Sequence, residues 1–348
     1  MAILGLAYAA DSEPAGTAAP PPVAHRPSST AHSPSPIAVP FIAQKPNYCG
    51  PAALAMLASY YGHDVSQDDI ASAIYLPDIG GTLTSELTDY ARRFNLWVRQ
   101  YHGSTDDLRQ KLDAGVPLIV LGRFGEQPHY FVVLGWDDFR QVVTVHSDTR
   151  PRYEMRVEDF LRHWDRADRW TLLVCPPEKA TWRLTPEEQN DLGLFFERAG
   201  LLESATQHYV AATQSRPRNS YFRMNLGNAL LKQRRLREAA DTFSRAIELD
   251  SQNADAMNNL AYTWLEMGQN LDQAVNLCNR AATLRPGRRA YYLDTLGSIL
   301  LKQGKEDDAR AAFEHALAVT PNQEELLRAS IQQHLAATRD DRSVIGDQ

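Results

Sequence analysis

The run Gln44-Lys-Pro-Asn-Tyr-Cys49-Gly50-Pro51-Ala-Ala-Leu-Ala-Met-Leu-Ala58 sets a thiol at the head of a stretch suited to a helix. Gly50-Pro51 offers a tight entry and then a residue suited to the first helical position. The Ala- and Leu-rich run from Ala52 to Tyr61 is apolar on most sides, which predicts a buried helix ending near Gly62. A thiol at that end faces unpaired backbone N–H groups and the positive pole of the helix dipole, and both favour thiolate. Five residues upstream, Gln44 carries a neutral side-chain N–H of the kind that holds an oxyanion. The pattern predicts a cysteine hydrolase and calls for a base.

Among the chain's 10 histidines, His129 meets that need through hairpin geometry. It opens the apolar run His129–Trp136, and Asp137-Asp138-Phe139-Arg140 turns the chain into Gln141–Asp148. With the turn centred between Asp138 and Phe139 and no bulge, His129 and Asp148 fall opposite each other, Cβ atoms roughly 4.5–5.5 Å apart. A carboxylate there would fix the imidazole tautomer. His146 lies two residues off and is expected to be a strand-surface histidine.

Around this pair the chain divides into three. Residues 11 to 40 hold eight of the 20 prolines among Ala, Ser and Thr, and residues 1–36 are expected to be a disordered tether. The apolar start at Met1–Ala10, with Ala7-Tyr8-Ala9 as a small-x-small site, predicts the tail of an export signal and a periplasmic or membrane-associated protein; otherwise the chain is cytoplasmic. Residues 37–178 read as an α+β domain. Helices are expected near Ser66, over Thr84–Phe94 and over Thr105–Ala114, with strands over Pro117–Gly122, His129–Trp136, Gln141–His146 and Trp170–Val174. From residue 184 to 340 the pattern is helical and repeats. Small residues recur at Gly193, Gly227, Ala261 and Gly297, spaced 34, 34 and 36 apart, with alanines in phase behind each and Pro217, Pro286 and Pro321 at the turns.

The bulk numbers bound the function. At 348 residues the chain is long enough for two cores, and a net charge of -7 gives no electrostatic reason to expect nucleic acid. No apolar stretch approaches the roughly 20 residues of a membrane span. Three dispersed cysteines (Cys49, Cys175, Cys278) suggest neither a disulfide framework nor a zinc site, and no metal or cofactor motif is present. Cys175 and Cys278 read as small buried hydrophobes.

Taken together, Gln44, Tyr48-Cys49-Gly50-Pro51-Ala-Ala-Leu54, Gly80-Gly81-Thr82, Pro128-His129-Tyr-Phe-Val-Val-Leu-Gly-Trp136 and Ser147-Asp148 resemble the double-glycine-leader (bacteriocin-processing) peptidases, a papain-like group, over about residues 38 to 177. The resemblance implies Cys49 as nucleophile, His129 as general base and acid, Asp148 as its orienter, and Gln44 with the Cys49 backbone N–H as oxyanion hole. The repeats resemble four tetratricopeptide repeats from about Glu187 to Pro321, capped by a helix near Gln323 to Ala337. The best-known peptidases of this type head membrane transporters with an ATPase; here no span and no phosphate loop follows. The architecture resembles stand-alone peptidases fused to tetratricopeptide repeats.

The expected fold is thus a papain-like α+β peptidase domain followed by an all-α solenoid. The expected function is peptide-bond cleavage, with a protein or peptide substrate and a protein partner on the repeat groove. The competing readings are a non-catalytic peptide-binding scaffold and a thiol-dependent transpeptidase or amidase.

Overall fold

The computed structural model describes residues 35–338. The expected tether and export-signal remnant lie outside the described residues, apart from Ser35 and Pro36, as do residues 339 and 340.

The first domain is α+β. Its elements are α1 (Cys49–Tyr60), α2 (Gln67–Ile74), α3 (Thr84–Ala91), β1 (Trp97–His102), α4 (Thr105–Asp113), β2 (Leu118–Phe124), β3 (Gln127–Asp137), β4 (Val142–Ser147), β5 (Arg150–Arg156), α5 (Val157–Asp165) and β6 (Trp170–Cys175). The strands form one antiparallel sheet ordered β1-β6-β2-β3-β4-β5. Side-chain alternation along β3 sorts the two cores. Tyr130, Val132 and Leu134 meet α1, α2 and α3, while Phe131 and Val133 meet Leu108 and Leu112 of α4 and Phe160 and Trp164 of α5.

Local chemistry sets the helix starts. Ser66 accepts from the Asp69 N–H while Asp69 reaches back, a capping box, and Ser104 caps α4 through the Asp107 N–H. Cys49 is itself the first residue of α1 and Pro51 the third, so the helix begins two residues before the position expected from Gly50-Pro51. Proline is tolerated there because the first-turn N–H groups have no intrahelical acceptor.

Three elements were absent from the sequence expectation: β1, β5 and α5. Arg150-Pro-Arg-Tyr-Glu-Met-Arg156 carries a proline and has only Met155 buried, which fits an edge strand.

The second domain is a helical solenoid of paired helices: α6 (Pro186–Arg198) with α7 (Leu202–Ser215), α8 (Ser220–Lys232) with α9 (Leu236–Leu249), α10 (Ala254–Met267) with α11 (Leu271–Leu284), α12 (Arg289–Lys302) with α13 (Glu306–Val319), then α14 (Glu325–Ala337). The small residues at the repeat positions carry this packing. A Cβ at Gly193, Gly227 or Gly297 would lie 2.5 Å from the ring of Tyr209, Phe243 or Phe313 respectively. In the third repeat Ala261 stands in place of glycine, and the fully buried Cys278 packs in the same core cluster as Ala261. A larger first-helix residue is matched there by a smaller second-helix one.

The two domains share a core. Leu192 of α6 is buried among first-domain residues, and Trp182 stacks on Trp97 with ring centroids 5.9 Å apart. Arg99 of β1 bonds Asp191 at 2.7 Å. Lys111 of α4, 0% exposed, pairs with Asp107 and, at 3.0 Å, with Glu188, itself 1% exposed. Burial alone would push the Glu188 carboxyl up, but Lys111 and the Thr185 N–H bring it below its ordinary value. The change of sequence character between residues 178 and 184 is therefore not a break in packing: the first repeat helix packs on β1 and α4.

Removing one member of a buried pair strands the other charge. Lys111→Ala should destabilise the chain by about 3–5 kcal/mol, and Lys111→Met with Glu188→Leu should recover most of the loss, measured by urea denaturation. Gly227→Ala should cost about 1–3 kcal/mol, and adding Phe243→Leu should relieve part of it, read as melting temperature.

Candidate active site

The site lies where the N-terminus of α1 meets β3 and the β4–β5 turn. Cys49 is partly buried, whereas Cys175 and Cys278 are buried. Gly50 permits the approach of α1 to the sheet: a Cβ there would lie 3.3 Å from the Tyr130 ring and 3.4 Å from Thr82 Cβ. The Tyr130 hydroxyl donates to the Thr82 carbonyl at 3.3 Å, which ties the Gly80-Gly81-Thr82 loop to β3.

The Cys49 thiol does not match the electrostatic expectation. The backbone N–H groups of Tyr130, Gly50 and Cys49 favour the thiolate, yet burial outweighs them, and the thiol sits above its ordinary pKa of 9.0. The helix terminus acts in the expected sense and loses to desolvation. His129 follows the same logic. It is 14% exposed, and burial holds it below its ordinary 6.5 despite Asp148, with Arg150 adding to the depression. Both shifts favour the uncharged forms of the two groups.

His129 and Asp148 are brought together, though not by the expected register. The ladder pairs Gly135 with Thr144 but Val133 with Val145, a bulge that shifts the strands by one residue. Asp148 lies in the turn between Ser147 and Arg150, with φ 53°, a left-handed conformation that Asp tolerates better than most residues. From there Asp148 Oδ1 is 3.4 Å from His129 Nε2. The buried Ser147 hydroxyl stands between them, 3.2 Å from His129 Nε2 and 3.2 Å from Asp148 Oδ2. His129 also packs edge-on against Phe131, centroids 5.0 Å apart. The backbone N–H of Tyr130, the residue after His129, is among the groups that favour the Cys49 thiolate. The His129 imidazole is not among the groups that hydrogen-bond that sulfur among the described residues.

Gln44 is placed by its backbone. Its N–H donates to the Asp148 carbonyl at 3.1 Å. On either side, the Gln67 amide bonds the Ala43 carbonyl at 2.9 Å and the Lys45 N–H at 3.0 Å. Gln67 went unremarked in the sequence; only its position at the start of the capped helix α2 hints at a role.

His146 is not the expected surface histidine, being 2% exposed. The Arg152 N–H donates to its Nδ1 at 3.0 Å, so the proton is on Nε2, which donates to the Val39 carbonyl at 3.0 Å. The ring thus pins the lead-in segment to the sheet two residues before Asp148. No group of three or more His, Cys, Asp or Glu side chains among the described residues could hold a metal ion.

Residues 36–171 match the model of the Peptidase_C39 like family. Residues 190–254, 224–289 and 290–323 match tetratricopeptide-repeat models. The chain is a Peptidase_C39-like domain fused to tetratricopeptide repeats. Among curated proteins it is similar to Protein STIP1 homolog of Dictyostelium discoideum, 31% identical over 127 residues, covering 35% of this chain and 22% of that protein. It is also similar to human Protein O-mannosyl-transferase TMTC3, 28% identical over 160 residues, covering 44% of this chain and 17% of that protein. The chain thus spans less than a quarter of the length of either. Among solved structures it is similar to MamA, with TM-score 0.36, 24% identity, and 39% and 78% of the two chains covered. It is similar too to TTC0263, a thermophilic TPR protein of Thermus thermophilus, with TM-score 0.40, 20% identity, and 44% and 82% covered. No helix among the described residues is long and apolar enough to cross a membrane.

Buried neutral histidines give the Peptidase_C39-like domain a pH dependence of definite sign. Folded pKa values of His129 and His146 lie below 6.5, so the unfolded chain binds more protons below that pH. Stability should be full above about pH 6.5 and fall as acid approaches the folded values. His146→Gln keeps a donor and an acceptor and should flatten part of that slope in urea melts from pH 7.5 to 5.

Proposed function

We propose that the chain is a cysteine peptidase in which Cys49, His129, Asp148 and Gln44 cleave peptide bonds and the repeats recruit the protein substrate or its partner. The observation that carries this reading is the convergence at β3. His129 meets the Ser147-Asp148 turn through Nε2, and the backbone N–H of the next residue, Tyr130, favours the Cys49 thiolate.

In this mechanism His129 Nδ1 takes the thiol proton as Cys49 Sγ attacks the peptide carbonyl. Both groups start neutral, so the ion pair forms with the attack rather than before it. Apo sites of this kind often tighten only when substrate is bound. The Gln44 side-chain N–H and the Cys49 backbone N–H receive the oxyanion. His129 then gives its proton to the leaving amine, and a water deprotonated by His129 hydrolyses the thioester.

The repeats raise the local concentration of a bound chain at Cys49. Asn228, Asp255, Asn258, Asn259, Arg288 and Tyr291 line a pocket on the α8, α10 and α12 side, which suits polar contacts to a peptide. An exported, periplasmic or membrane-associated location is part of this proposal.

Crosslinking Cys49→Ala in native extract should trap substrate chains that the active protein cuts, with Cys49→Ala and His129→Ala each lowering turnover by at least about 10³-fold. Capture without cutting by the unaltered chain would instead support the scaffold. A chain ending at Arg216 keeps α6 packed on β1 and α4. It should lose turnover of the trapped substrate while sparing small peptide esters; equal loss for both would argue that the repeats only stabilise the fold.

A further inference from the structure

We propose that Ser147 is a positioning residue whose hydroxyl carries the Asp148 carboxylate's influence to His129, so that the orienting unit is His129–Ser147–Asp148 rather than a direct His129–Asp148 pair. The inference rests on the catalytic reading above and adds a residue to it.

Three distances lead to it. The direct His129 Nε2 to Asp148 Oδ1 separation is 3.4 Å, beyond the usual range of an N–H···O bond. The Ser147 hydroxyl lies 3.2 Å from His129 Nε2 and donates to Asp148 Oδ2 at 3.2 Å. Arg150 Nη2, at 3.4 Å from the same Oδ2, draws on the carboxylate from outside. Asp148 is 43% exposed on its side chain, whereas Ser147 is 3% exposed. The exposed carboxylate is shared with Arg150 and solvent; the buried hydroxyl is not.

Donor arithmetic then fixes the direction. A carboxylate only accepts, and a serine hydroxyl has one proton to give. With that proton on the Asp148 side, the oxygen meets His129 Nε2 only as an acceptor. Nε2 therefore carries the imidazole proton, and Nδ1 is left with the lone pair that deprotonates the thiol. When His129 becomes positively charged, Nε2–H···Oγ–H···Oδ2 polarises along its length and holds the charge. The charged groups facing His129 are Asp148 and Arg150, both from the β4–β5 turn, while Phe124 and Phe131 cover it from the β2–β3 side.

The test needs no substrate. In full-length protein labelled with ¹⁵N-histidine, His129 should show the Nε2–H tautomer, and Ser147→Ala should give a mixture. The iodoacetamide alkylation rate of Cys49 should fall roughly tenfold at neutral pH in Ser147→Ala. Its half-maximum should move to higher pH, part-way to that of His129→Ala, and Ser147→Thr, which keeps the hydroxyl, should restore the unaltered profile. Melting temperatures taken alongside identify a variant that has merely unfolded, in which case the tautomer of the unaltered protein decides. An Nδ1–H tautomer there would overturn the proposal. So would a Ser147→Ala profile that superposes on the unaltered one while His129→Ala shifts it, and that result would leave the Cys49–His129 pairing standing. If His129→Ala has no effect either, the catalytic reading falls and the relay with it.

Discussion

Burial of Cys49 and His129 is the constraint from which the rest of the site follows. The thiol is held above its ordinary pKa and the imidazole below its own, each chiefly by desolvation. Neither charge is free to form alone. The surrounding groups are disposed to favour the two charges formed together. Three backbone N–H groups favour the thiolate, and a hydroxyl and a carboxylate face Nε2. Such dipoles, fixed before the reaction, need no reorganisation during it.

Fixing them is the work of residues away from the chemistry. Gln67 clamps the backbone on both sides of Gln44, whose N–H reaches the Asp148 carbonyl. His146 ties the same lead-in segment to β4 and, through Arg152, to β5. These bonds join the Gln44 segment, the start of α2 and the Asp148 turn into one frame. Behind the sheet, Lys111 and Glu188 bind the first repeat helix to the peptidase core. The repeats are anchored to the Peptidase_C39-like domain through that helix, and recruitment is proposed to work from that attachment.

Much of this was legible in the sequence where the signal is local. The α1 run, the helix starts near Ser66 and Thr105 and the repeat phase at Gly193, Gly227, Ala261 and Gly297 each depend on nearby residues, and the elements formed there. The His129–Asp148 proximity was legible for a partly wrong reason. The ladder beside the turn, with Gly135 opposite Thr144, centres the turn one residue later than expected; the bulge between Val133 and Gly135 recovers only part of that offset, and the left-handed turn at Asp148 brings the carboxylate within reach. What could not be read was desolvation. The helix dipole at Cys49 is a property of local sequence, whereas the burial that overrides it comes from β3 and the Thr82 loop. The same holds for His146, whose strand position suggested a surface residue until the lead-in segment covered it. The β5 edge and α6 as part of the peptidase core likewise depend on distant partners.

The measurement that bears most directly on the account is the rate at which a thiol-directed electrophile labels each of the three cysteines, in the unaltered chain and in His129→Ala. Cys175 and Cys278 are buried and pushed up to about 12, which makes them internal standards. The account predicts that Cys49 labels far faster than either, and that His129→Ala removes most of that advantage while the other two stay unchanged. Labelling of Cys49 no faster than Cys278, or equally fast with and without the imidazole, would contradict it.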